Sequence, residues 1–166
     1  MARVHLRAPT LADQREFLAL ARASRALHHP WTSAPSTPAQ FRSYIARMSK
    51  PENAAFLVCV PGSGQMVGVV NLTNAVLGPF RSGYLGYYAF SGFERQDFMR
   101  NGLRAVVRHA FAELKLHRLE ANIQPTNVAS IALVRSCGFT KEGYSPRYLK
   151  IGGRWRDHER WAILAS

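Results

Sequence analysis

The chain has 166 residues and a mass of 18.6 kDa, 47% of it apolar and 19% charged. That length and composition fit one domain, or at most two very small ones, with a real core, and exclude wholesale disorder. The 22 Lys and Arg against 10 Asp and Glu give a formal charge of +12, which permits contact with RNA or another polyanion. Arg outnumbers Lys 18 to 4, and the charges are scattered along the chain, as a GC-rich genome alone would produce.

The longest apolar run, residues 54–60, is far too short for a membrane span, and no apolar stretch follows the charges at the N-terminus. The expectation is a cytoplasmic protein with no membrane contact. Two cysteines, Cys59 and Cys137, cannot form a disulfide framework or a four-ligand zinc cage, and no metal is expected. Each sits in an apolar run and reads as a small core residue.

Residues 4–7 alternate and predict a short strand. Residues 10–27 place Leu11, Phe17, Leu18, Leu20 and Ala21 at helical spacing. Residues 28–38, with three prolines and Trp31, predict a loop. Thr37 then caps a helix, Pro38 takes its first position and Gln40 closes a capping box. Phe41, Tyr44, Ile45 and Met48 form its apolar stripe. Residues 54–60 and 66–73 predict an antiparallel hairpin around Pro61-Gly62-Ser63-Gly64. Residues 83–90 predict a third strand with Tyr84, Tyr87 and Tyr88, and alternation sets Tyr87 opposite the other two.

Residues 96–114 predict the clearest helix, with Met99, Leu103, Val106, Val107, Ala110, Phe111 and Leu114 on one face and Arg100, Arg104 and Arg108 on another, a solvated row or an RNA contact. A strand at 118–123, a helix at 127–136 ended by Gly138, and a strand start at 139–144 follow. Residues 148–151 and 154–164 flank Gly152-Gly153, a hairpin signal. This order predicts a mixed α/β sheet with helices on both faces. Asp157-His158-Glu159 cannot converge as a triad, because strand neighbours alternate faces. His28-His29 has no metal-ligand spacing, and no Gly-x-Ser-x-Gly elbow is present.

The order of elements, with Asn127-x-x-Ser130 and Cys137-Gly138-Phe139, resembles the GNAT superfamily of acyl-CoA-dependent N-acetyltransferases. The stretches Leu116-His117-Arg118-Leu119-Glu120-Ala121-Asn122, Pro125-Thr126-Asn127-Val128-Ala129-Ser130, Gly138-Phe139-Thr140-Lys141-Glu142-Gly143-Tyr144 and Trp155-Arg156-Asp157-His158 resemble its RimJ/RimL-type branch, the ribosomal-protein N-terminal acetyltransferases. The resemblance covers nearly the whole chain and implies one GNAT domain over 1–166. It implies a mostly antiparallel sheet splayed between strands 4 and 5, and direct attack of an amine on acetyl-CoA. The acceptor would be a ribosomal-protein N-terminus or another small amine, handled by a monomer or a homodimer.

The resemblance also implies roles. Backbone near Tyr88, Ala89 and Phe90 would supply the oxyanion donor. The loop Arg95-Gln96-Asp97, running into Phe98 and Met99, would hold the CoA diphosphate at a helix N-terminus. Asn127 would contact the pantetheine arm and Ser130 the thiol, since Val134 stands where many relatives carry a tyrosine. Tyr84 stands where the branch carries a glutamate. Glu120 is then the nearest acidic candidate for a base, or a partner of Arg118 or of a hairpin arginine. His29, Trp31 and Tyr84 would line the acceptor groove. Arg95 and Asp97 replace both glycines of the family loop, which predicts backbone strain and weakened CoA binding. The second reading is therefore a GNAT-fold interaction module, and a basic RNA-binding domain is the third.

Overall fold

The computed structural model describes residues 3–166. Seven strands form one sheet in the order β1-β2-β3-β4-β5-β7-β6. The strands β1 (His5–Arg7), β2 (Ala54–Cys59), β3 (Met66–Val76) and β4 (Ser82–Ala89) run antiparallel. β5 (Arg118–Ile123) pairs with β4 in parallel, and β6 (Thr140–Ile151) and β7 (Arg154–Leu164) return as a hairpin beside it. The single parallel pair requires a crossover, which α4 (Phe98–Ala112) supplies. The mixed, mostly antiparallel sheet is the one the sequence predicts.

Helices α1 (Gln14–Ala23), α2 (Arg25–His28) and α3 (Pro38–Met48) precede β2, and α5 (Val128–Ser136) follows β5. Two cores result. Phe17, Phe41, Tyr44, Leu57, Val69 and Phe90 pack α1 and α3 on one face, while Val58, Val70, Leu103, Val106, Leu119 and Val134 pack α4 and α5 on the other. Each such apolar side chain contributes about 1.5–3 kcal/mol. Cys59 is fully buried and Cys137 half-buried, and burial pushes both thiols up. Among the described residues no helix is long and apolar enough to cross a membrane, and no cluster of His, Cys, Asp or Glu is arranged to hold a metal ion.

Two expected boundaries and one expected cap bond differ. The helix expected over 10–27 is a 3-10 turn at Leu11–Asp13, then α1, then α2. It breaks at Ser24, which is 1% exposed and accepts the Ser91 amide on its hydroxyl at 2.9 Å. Thr37 caps α3 as expected, but Gln40 accepts the amide of Ser36 at 2.9 Å instead of closing on Thr37. The two strand pieces expected at 139–144 and 148–151 are one strand, β6. Its pairing slips between Ser145 and Leu149, where Pro146 and Arg147 (φ 46°) sit. A bulge removes the ladder bond that a proline cannot make.

Edge strand β1 is tied to the turn before α1 by two hydrogen bonds from Arg7 to Asp13, at 2.9 and 2.7 Å. The Arg7 guanidinium, with the Thr10 amide, holds the Asp13 carboxyl below the ordinary carboxylate range. A depressed carboxyl contributes stability that is present above its unfolded value, near pH 4, and is lost as pH falls through the folded one. Asp13→Asn is expected to cost about 1–3 kcal/mol at pH 7. Urea midpoints should show that gap closing as pH drops below about 4.

Candidate functional site

β4 and β5 pair only from Ser82↔Arg118 to Leu85↔Ala121, and beyond that point the strands part. On the other side of β4 the ladder to β3 continues, and the Phe90 amide donates to the Val67 carbonyl at 2.7 Å. Antiparallel alternation turns the Tyr88 amide the same way, towards β3, and the amides of Tyr87 and Ala89 towards the gap. Of the expected oxyanion donors, the ladder therefore favours Ala89. The Ala89 carbonyl accepts from His28 Nε2 at 2.7 Å, so α2 steadies this strand end. Phe90 is 0% exposed within the α1–α3 core and offers no side-chain contact to a cofactor.

A cleft of about 510 Å³ runs through the splay. Tyr87, Asn127 and Ser130 line its α5 side; Trp31, Tyr84, Asn122, Tyr148 and His158 line the opposite side. Among the described residues no Asp, Glu, Lys or Arg lines it.

Ser130 Oγ and the Tyr87 hydroxyl lie 2.7 Å apart. Burial pushes Tyr87 well up, so its hydroxyl stays protonated and can donate to Ser130. The Ser130 proton is then free to face the cleft, which suits a leaving thiolate. Asn127 caps α5, its Oδ1 accepting the Ser130 amide at 3.3 Å, which leaves its Nδ2 donor for the cleft. Sequence reasoning missed Tyr87 at this site. Its only signal was alternation, which put it on the opposite face from Tyr84 and Tyr88.

Glu120 does not line the cleft. It is 8% exposed and its carboxylate lies 3.0 Å from Arg118, which also holds Glu142 at 2.6 Å. Those bonds to Glu142 and Glu120 push the Arg118 guanidinium up. A carboxylate so placed serves Arg118 and stands outside the cleft wall. Tyr84, 37% exposed, lies on the cleft wall, as does Trp31. His29 is exposed and outside the lining, whereas the neighbouring His28 is buried.

The loop before α4 takes the turn of a glycine-bearing loop without the glycines. Arg95 and Asp97 both adopt left-handed backbone, at φ 62° and 63°. The Asp97 carboxylate makes no cap bond to α4 and instead pairs with Arg100 at 2.7 Å. The Asp97 charge is thus partly neutralised, and the opening amides of α4 carry no side-chain cap, so the loop fits an anion there. Phe98 stacks edge-on to Phe93 at 5.6 Å, Met99 packs into the α4 core, and Gln96 is exposed. Arg104 donates to the Ser136 carbonyl at 2.6 Å, so the arginine row is partly committed to local contacts.

Residues 3–140 match the family model "Acetyltransferase (GNAT) domain". The probable N-acetyltransferase YjcK of Bacillus subtilis is 35% identical over 121 residues, 73% of this chain and 67% of that protein. The ribosomal protein uS5-alanine N-acetyltransferase of Escherichia coli is 39% identical over 103 residues, 62% of this chain and 53% of that protein. Mycobacterium smegmatis RimJ, solved in complex with CoA-disulfide, superposes with a TM-score of 0.91 at 26% identity, covering 99% of this chain and 83% of that one. The splayed sheet, the anion-ready loop and these matches agree, and the chain belongs to the GNAT family as an N-acetyltransferase with acetyl-CoA as co-substrate.

Proposed function

We propose that the chain acetylates the α-amine of a protein N-terminus, of the ribosomal-protein type, in the cytoplasm. The observation that carries this is the uncharged wall of the cleft, which offers no free carboxylate. A polyamine brings several ammonium groups and needs carboxylates to seat those that do not react. An α-amine, with an ordinary pKa of about 7.7–8.0, is roughly one-tenth neutral at pH 7, whereas a lysine near 10.4 is neutral only to about 0.04%. The gap is worth about 3.4 kcal/mol, so a site without a carboxylate base suits the weaker amine. The uS5-alanine acetyltransferase supports the same acceptor class by its name.

The test is acetyl transfer from acetyl-CoA to three acceptors: a peptide with a free N-terminus, the same peptide N-terminally blocked but bearing a lysine, and spermidine. Turnover on the first at least about 100-fold above the others is expected, from the ionisation gap. Preference for spermidine or for the lysine peptide overturns the reading.

A further inference from the structure

We infer that His158 is the base that takes the proton from the attacking amine. This rests on the reading that the cleft joins an α-amine to acetyl-CoA. His158 stands on β7, is 3% exposed, and lines the cleft on the side opposite α5. Its Nδ1 lies 2.8 Å from the Arg156 carbonyl. A carbonyl only accepts, so Nδ1 carries the hydrogen, and in the neutral ring the lone pair is on Nε2. Among the described residues nothing is hydrogen-bonded to Nε2, and His158 is part of the cleft wall, so its lone pair is available there.

Elimination points the same way. The titratable side chains on the cleft wall are Tyr84, Tyr87, Tyr148 and His158. Tyrosines ordinarily titrate near 10, and burial pushes Tyr87 and Tyr148 higher. Histidine is the residue type whose charge ordinarily changes near neutrality.

The groups around His158 are few. The Tyr148 ring of β6 lies 6.3 Å away, and Tyr84 of β4 shares the wall. Glu120 of β5 is held by Arg118. Arg156 and Arg160 lie on the same face of β7 by alternation. Asp157, on the other face, is bound by the Tyr144 hydroxyl and the Arg147 amide.

In the reaction the amine nitrogen bonds to the thioester carbonyl carbon and gives its proton to Nε2. The carbon–sulfur bond breaks, and the electron pair leaves on sulfur. The Ser130 hydroxyl, held by Tyr87, donates a hydrogen bond to the thiolate. The imidazolium releases its proton to solvent and the thiolate takes one from it, which restores the starting state.

The test substitutes His158→Asn, whose side-chain N–H can still meet the Arg156 carbonyl. Two acceptor peptides of one sequence are compared, one ending in an α-amine and one in an aminooxy group that is neutral at pH 7. A kcat loss of about 100-fold or more is expected on the first, and one below about threefold on the second. CoA affinity by calorimetry should be unchanged. His158→Gln, tested alongside, should split the two acceptors in the same way. Equal losses on both acceptors overturn the proposal alone. No transfer by the unsubstituted protein to either peptide overturns the α-amine reading with it.

Discussion

Gly68→Ala is expected to weaken CoA binding by about tenfold and to destabilise the fold by about 1–3 kcal/mol, the usual range for overpacking. Gly68 lies on β3 opposite Ala89, directly under α4. A methyl group there would overlap Met99 Sδ and stand 2.7 Å from the Tyr88 carbonyl oxygen. Methionine can swing aside, but the Tyr88 carbonyl is sheet backbone and cannot move without shifting β4. The displaced parts are the second residue of α4 and the end of β4, the two backbone segments that frame the diphosphate loop and the Ala89 amide. A methyl group far from any ligand should therefore register in CoA calorimetry as well as in the thermal midpoint, which should fall by about 2–4 °C per kcal/mol. Adding Met99→Ala separates the two clashes. If the side chain were the whole obstacle, the double variant would recover; the backbone contact predicts that it recovers only in part.

The legible parts of the fold were those with a strong local period. The stripe from Met99 to Ala110 marks α4 because one helix face meets one sheet face. What was not legible depends on partners distant in sequence. Ser24 breaks a helical pattern because its hydroxyl serves Ser91, 67 residues on. Pro146 reads as a strand break, yet the bulge opposite β7 absorbs it. The site divides in the same way. Asn127 and Ser130 stood out because cap and hydroxyl lie within one helical turn. Tyr87 did not, because its role appears only when α5 docks beside β4. The sequence leaves Glu120 open between a base and a partner of Arg118, because the reach of Arg118 to both Glu120 and Glu142 is set by pairing across three strands. His158 is hidden within Asp157-His158-Glu159, because alternation separates it from its neighbours without saying which face meets the cleft.

Asp97→Asn is expected to tighten CoA binding by about tenfold at low ionic strength, with the gain shrinking as salt is raised. The carboxylate of Asp97 sits at the mouth of α4 and occupies Arg100, both half-exposed at 51% and 36%. An exposed pair of this kind is worth at most about 1 kcal/mol to the fold, so its loss costs little. Removing the carboxylate takes a negative charge away from the diphosphate and frees Arg100 to meet it. Asparagine tolerates the left-handed backbone about as well as aspartate, so this variant isolates charge from strain. Asp97→Gly then adds relief of the strained φ of 63°, worth about 1–2 kcal/mol for a residue with a Cβ. Its melting point should exceed that of Asp97→Asn while the two bind CoA alike. Arg95→Gly should part the effects in the other sense: the fold gains by a similar relief at φ 62°, while CoA binds more weakly because a cation is lost. Calorimetry and thermal melts on the three variants therefore give three distinct sign patterns. Weaker binding in Asp97→Asn would mean that the Asp97–Arg100 pair holds the loop in its binding shape, and that the aspartate is a working part of the cradle.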